Sequence, residues 1–140
     1  MSQISSWSST AASNNSTPPD GWPEGMAVAD VNNTGREMMA AIRTWWQFLS
    51  PTVTAAGTAD ALTLTYSPAP ASLYAGLTLA FYKQASDNTG AVTLNVNGLG
   101  VKNVVKRDGS TALGAADLKA NTLYQVSYDG TSFRVWQTGV

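Results

Sequence analysis

Leu123-Tyr124-Gln125-Val126-Ser127-Tyr128-Asp129-Gly130-Thr131-Ser132-Phe133-Arg134-Val135-Trp136 is the stretch that decides the fold class. Two runs that alternate apolar and polar residues flank Asp129-Gly130, a pair suited to a two-residue hairpin loop because both positions tolerate positive φ. That loop puts Tyr128 opposite Thr131, Val126 opposite Phe133 and Tyr124 opposite Val135, so one face is continuously apolar. The other face carries Gln125, Ser127, Ser132 and Arg134, with Leu123 and Trp136 at its far end.

The same period-two pattern extends back to Thr52, with a turn signal about every ten residues. Ala61–Tyr66 alternates strictly until Ser67-Pro68-Ala69-Pro70 breaks it, and Leu77–Lys83 is closed by Asp87-Asn88-Thr89-Gly90. Ala91–Asn95 leads through the tight-turn pair Asn97-Gly98 into Val101–Lys106, and Arg107-Asp108-Gly109-Ser110 makes the next turn. Residues 51–140 are therefore expected to form a small antiparallel β-sandwich or barrel, in a chain that is mainly β.

Upstream, the periodicity changes. Thr34 and Glu37 have capping-box spacing and Ser50-Pro51 is a stop, which predicts a helix from about Asn33 or Thr34 to Leu49, within a segment spanning residues 31–50. Met38, Ile42, Trp45 and Leu49 follow at steps of four, three and four, and Met39 with Trp46 widens that stripe. Such a stripe needs a cover, either the β-domain or, as its resemblance to coiled-coil positions allows, further copies of the same helix.

Residues 1–30 hold seven serines, three prolines and only Asp20, Glu24 and Asp30 as charges, too polar a composition to fold alone. Trp7, Trp22, Met26 and Val28 stand out within it. They either tuck onto the chain's own core or anchor an extended arm on a neighbouring subunit, as buried tryptophans do at interface hot spots. Thr17-Pro18-Pro19-Asp20-Gly21-Trp22-Pro23 stiffens that arm and lowers the entropy cost of docking it.

The 140 residues are 44% apolar and only 12% charged, with a formal charge of −1, which argues against nucleic acid and anionic membrane as partners. No histidine and no cysteine occur. The commonest general base, the commonest metal ligands and the thiol nucleophile are thereby removed, and no cofactor, metal or catalytic residue is expected. Asp60, Asp87, Asp108 and Asp129 sit where Asx turns are expected. Asp87-Asn88 lacks the regular spacing of a calcium loop, and Lys102, Lys106 and Arg107 around one turn read as solvated charges. The N-terminus has no basic, apolar leader and no window is long enough to span a membrane, so the chain is expected to begin in the cytoplasm.

Trp7-Ser8-Ser9-Thr10-Ala11-Ala12-Ser13-Asn14-Asn15, Gly21-Trp22-Pro23-Glu24-Gly25-Met26 and Val31-Asn32-Asn33-Thr34-Gly35-Arg36-Glu37-Met38-Met39-Ala40-Ala41-Ile42 together resemble the N-terminal region of tailed-bacteriophage virion proteins, commonly tail fibres. Tyr74-Ala75-Gly76-Leu77-Thr78 and Asn88-Thr89-Gly90-Ala91-Val92-Thr93-Leu94-Asn95-Val96-Asn97-Gly98-Leu99-Gly100 resemble the β-domain that follows it there. The resemblance implies a non-enzymatic virion component, assembled in the host bacterial cytoplasm as a homo-oligomer, commonly a trimer. It further implies that the arm docks on tail, neck or capsid proteins. The partner-binding residues are then Trp7, Trp22 and Met26 in the arm and Met38, Ile42, Trp45, Trp46 and Leu49 on the helix. Long receptor-binding regions follow these modules in many fibres but not in this chain, so receptor binding is not implied. A capsid decoration or head-fibre protein is the alternative. A carbohydrate-binding module stacking sugars on Tyr74, Tyr82 or Trp136 is a further one.

Overall fold

The computed structural model describes residue 4, residues 7–18 and residues 20–138. The stiffening expected of Pro18-Pro19 falls partly on Pro19, outside the described residues. The chain divides into two compact units, Met1–Trp46 and Gln47–Val140.

In the first unit, residues 8–22 close on themselves instead of running extended. The Asn14 side chain accepts from the Ser8 amide at 2.8 Å and donates to the Ser8 carbonyl at 3.0 Å, while the Trp22 amide donates to the Asn14 carbonyl at 2.7 Å. Short Ser and Asn side chains compete for the backbone in this way, and between them runs a 3-10 turn at Ala11–Ser13. Helix α1 spans Val28–Leu49, starting five residues before Asn33. Asn32, Asn33 and Gly35 are weak helix formers and conceal this start in the sequence. Asp30, in the first turn, favours the helix N-terminus electrostatically. Thr34 is thus an interior position and not a cap, and its side chain is buried.

The second unit is a nearly closed barrel of mixed strands: β1 Val53–Thr54, β2 Ala56–Gly57, β3 Ala61–Leu64, β4 Thr78–Tyr82, β5 Val92–Val96, β6 Val101–Val105, β7 Leu123–Tyr128 and β8 Phe133–Val135. The sheet order is β1-β4-β7-β8-β6-β5-β3-β2. Strands β1 and β2 are one run interrupted at Ala55, whose amide donates to the Tyr82 carbonyl at 2.8 Å. Its first half pairs with β4 and its second half with β3, so a single segment meets both edges of the sheet. The expected mainly-β domain forms, but the pairings β1–β4, β3–β5 and β6–β8 are parallel. Turn residues report only the hairpins they make. Parallel pairs join strands from separate hairpins, and no local signal marks them.

The last hairpin keeps its apolar face with a register shifted by two: Val126 pairs with Val135 and Tyr128 with Phe133. Asp129 is the cause, because its carboxylate accepts from the Thr131 and Ser132 amides and its own amide donates to the Ser132 carbonyl. The loop therefore takes four residues, and an even shift returns each side chain to its expected face. Asn97 (φ 48°) and Gly98 (φ 75°) make the tight β5–β6 turn as expected. Alternate residues of β3, β5, β7 and β8 are buried, whereas β4 buries Leu79, Ala80 and Phe81 in succession; Leu79, Phe81, Leu94, Val126 and Phe133 are almost fully buried. Phe48, in the last turn of α1, meets Tyr66 edge-on at 5.4 Å.

Candidate partner-binding surface

Because α1 begins at Val28, its apolar seam is longer than the sequence suggested. Val28, Val31, Gly35, Met38, Ile42, Trp45 and Leu49 follow one another at alternating three- and four-residue steps along all 22 residues. This is the 3.5-residue spacing of a helix that packs along another helix, with Gly35 the one position lacking a side chain. Exposure along the seam runs from 36% at Met38 to 90% at Val28, with Leu49 half-buried. On its flank Met39 and Trp46 are also exposed, and the Arg43 guanidinium lies 4.2 Å from the Trp46 ring centroid. That contact shields one indole face and orients the ring.

Beside the seam, within the same unit, lies a cavity of about 130 Å³. Trp7, Trp22, Met38, Thr34, Asp20 and Gly21 line it, together with Asn14, whose amide pins the surrounding loop to Ser8. The lining is mostly apolar. Thr34 Oγ1 is buried without a hydrogen-bond partner among the described residues. The structure thus brings Trp7, Trp22 and Met38 around one cavity, and Met38, Ile42, Trp45 and Leu49 onto one seam with Trp46 at its flank. Met26 is half-buried in the turn before α1 and lies outside the cavity lining. Val31 and Thr34 were missed by the sequence reading as surface residues, and Val28 was assigned to the arm although it opens the helix. Continuing the 3-4 spacing upstream of Met38 would have found the two valines.

Most of the barrel's turn carboxylates and amides bond within the barrel, while Gln84 Oε1 and Asn95 Oδ1 are buried without a hydrogen-bond partner among the described residues. Asp108 and Asp129 form the Asx turns expected of them; the Thr111 hydroxyl with the Ser110 and Thr111 amides holds the Asp108 carboxyl at about 2, and the Ser132 amide with the Arg134 guanidinium and the Thr131 amide holds that of Asp129 at about 2. Asp60 and Asp87 do not form such turns. Asp60 accepts from Thr89 and Gly90, and Asp87 from the Ala120 amide and Lys119 Nζ, so each ties two distant loops together. Both carboxyls are held below the usual range, chiefly by Thr89 and by the Ala120 amide respectively. Asn88 donates to the Gly90 and Gly114 carbonyls and accepts from the Leu118 amide, which commits the amide that a calcium loop would need. Lys83 is almost fully buried and donates to the Ser86 carbonyl at 2.8 Å. Desolvation lowers the pKa of its amine, while Asp60 and Asp87 oppose the shift.

Of the three bases read as solvated, Lys106 pairs with Asp117 at 3.2 Å and Lys102 lies 5.9 Å from the Tyr128 ring centroid. No group of three or more acidic side chains able to hold a metal ion occurs among the described residues. No described helix is long and apolar enough to cross a membrane.

Tyr74 packs against the barrel core, which removes it from the candidate sugar platform. Tyr82 and Leu123 are exposed cross-strand partners, and Trp136 is exposed with its indole N–H donating to Ser127 Oγ at 2.8 Å. Ser127 Oγ in turn bonds Thr78 Oγ1 at 2.8 Å, so the indole is fixed on the outer face of the sheet. No family model matches this chain, and no curated protein matches it.

Proposed function

We propose that this chain is a non-enzymatic structural component of a tailed-bacteriophage virion, a short tail fibre or fibre-base protein. Copies of it associate along the α1 seam, as a trimer, and residues 1–30 attach the assembly to the tail or neck. The observation that carries this reading is the seam, which leaves Val28, Val31, Met38, Ile42 and Trp45 exposed along a helix whose chain also builds a nearly closed barrel. Apolar area of that extent on a helix is ordinarily covered by a partner, and the 3-4 alternation fits a parallel copy of the same helix. The resemblance of the first 42 residues to phage fibre proteins supplies the setting.

Deleting residues 2–26 is expected to abolish incorporation into particles while the barrel stays folded. Normal incorporation of the truncated chain sinks the attachment role, and a clean monomer at micromolar concentration in sedimentation sinks the trimer. Copy number per particle separates this reading from a capsid decoration protein, which would be present in far more copies. A second reading, carbohydrate binding, draws on the fixed and exposed indole of Trp136. Its test is glycan-array binding that is lost in Trp136→Ala with the fold intact.

A further inference from the structure

The seam of α1 reads the same in both directions. Its positions lie symmetrically about Ala40: Gly35 balances Trp45, Met38 balances Ile42 and Val31 balances Leu49. A second copy of the helix laid along the seam in the opposite direction, with the two-fold axis at the level of Ala40, therefore puts Trp45 of each copy against Gly35 of the other. Met38 then faces Ile42, and Val31 faces Leu49. Antiparallel helices pair a positions with d positions in this way, whereas parallel copies set each position against itself. Side-chain size distinguishes the two directions. A Cβ added at Gly35 would meet nothing within 4 Å, so the helix surface carries an open notch there. Trp45 has the largest side chain of the seam and is half exposed. Reversed copies set each indole over the other copy's notch, and large against small is how facing layers interdigitate. Parallel copies set notch against notch, which leaves a void, and indole against indole, which crowds the layer.

We propose that the free chain pairs with a second copy of itself as an antiparallel two-fold dimer along α1, a state that precedes the virion assembly proposed above. The occupant is another copy because the complementarity is between the seam and itself, as an isologous interface requires. A two-fold pair is closed and adds no third chain, so it covers the exposed apolar row until the arms reach a common docking site. Arms held side by side there give their helices one direction, and the reversed pair has to come apart before parallel copies can assemble. The dimer shares with the virion reading only the use of the seam by copies of this chain.

The experiment uses the full chain, whose lack of cysteine lets one label be introduced at a time. Sedimentation equilibrium is expected to give a dimer. Spin labels are placed on Asn33→Cys and, separately, on Ala40→Cys, a heptad apart on the side of α1 away from the seam. In the reversed pair the two Ala40 labels are level, and the two Asn33 labels are offset along the axis by about 21 Å. The label-to-label distance is therefore expected to be longer in the Asn33 variant by roughly 9 Å, whereas parallel copies give equal distances. Gly35→Leu reads the same question through affinity. It replaces a weak helix former and its Cβ has open space, so the helix is retained. Filling the notch is expected to weaken the reversed dimer by about tenfold or more, and Gly35→Leu combined with Trp45→Ala to recover most of that loss. In a parallel assembly the same leucine fills a void and tightens association. Equal label distances, tighter association of Gly35→Leu, or a free chain that sediments as a monomer or a trimer overturns the proposal. A monomer also sinks the trimer proposed above, whereas a trimer with equal label distances upholds it.

Discussion

The barrel and the helix spend their apolar residues in opposite ways. In the barrel, large side chains such as Leu94, Val126 and Phe133 have no measurable exposure, and the turn carboxylates are hydrogen-bonded at home. Along α1, residues of the same chemical kind stay about half exposed at Ile42 and Trp45. The barrel buries most of its large apolar side chains in one core, whereas the helix leaves a continuous row of them at the surface. That difference is what the proposed partner-binding role rests on.

The contrast can be broken most sharply from the barrel side. Phe133→Ala removes a fully buried ring that meets Tyr128 at 5.1 Å, and is expected to lower barrel stability by about 3–5 kcal/mol in urea unfolding. Ile42→Ala is the counterpart on the seam. It should leave monomer unfolding within about 0.5 kcal/mol of the parent yet weaken self-association by about 2 kcal/mol in sedimentation equilibrium. An Ile42 variant that unfolds like the Phe133 variant would erase the distinction.

Two smaller changes sharpen it. Gly109 has φ +83°, and an added Cβ would lie 2.3 Å from Arg134 Cζ. Gly109→Ala is therefore expected to cost the barrel about 1–2 kcal/mol in thermal or urea unfolding. Thr34→Val replaces the unbonded hydroxyl with a methyl group and is expected to stabilise the first unit by about 1 kcal/mol, read from hydrogen exchange along α1.

Acid provides the mildest test. The folded pKa of Asp108 and of Asp129 is about 2, below the ordinary 3.8, so their contribution is complete above about pH 4 and is lost as pH falls through about 2. Barrel stability is expected to be level above pH 4 and to decline between 4 and 2. Asp108→Asn should flatten part of that decline, and an unchanged profile would show the turn carboxylates to be unimportant.

How far the sequence could be read follows from the range of each interaction. The hairpin faces around Tyr128 and Phe133 were legible because alternation and an Asp-Gly turn are local. The register was not, since Asp129 enlarged the loop by binding two amides with its own side chain. The parallel partners Leu62 and Leu94 stand 32 positions apart and no turn connects them, so only the folded barrel shows their pairing. For the candidate surface, Met38, Ile42, Trp45 and Leu49 were visible as a stripe. Val28 and Val31 were hidden behind Asn32-Asn33, which imitate a helix start. The cavity was out of reach, because Trp7 and Thr34 meet only through a loop held by Asn14.

The segment Val53–Gly57 has a consequence in time as well as space. Directly after the helix in sequence, it completes the barrel only by pairing with β4, which in turn needs β7, a strand roughly 80 residues downstream of Leu49. At about 5–20 residues per second, a ribosome takes about 4–16 s to make that stretch. Throughout that interval a nascent chain displays a complete helix and an unfinished barrel. If copies associate along α1 as proposed, sister chains growing on one message have their helices available to one another before either barrel can close.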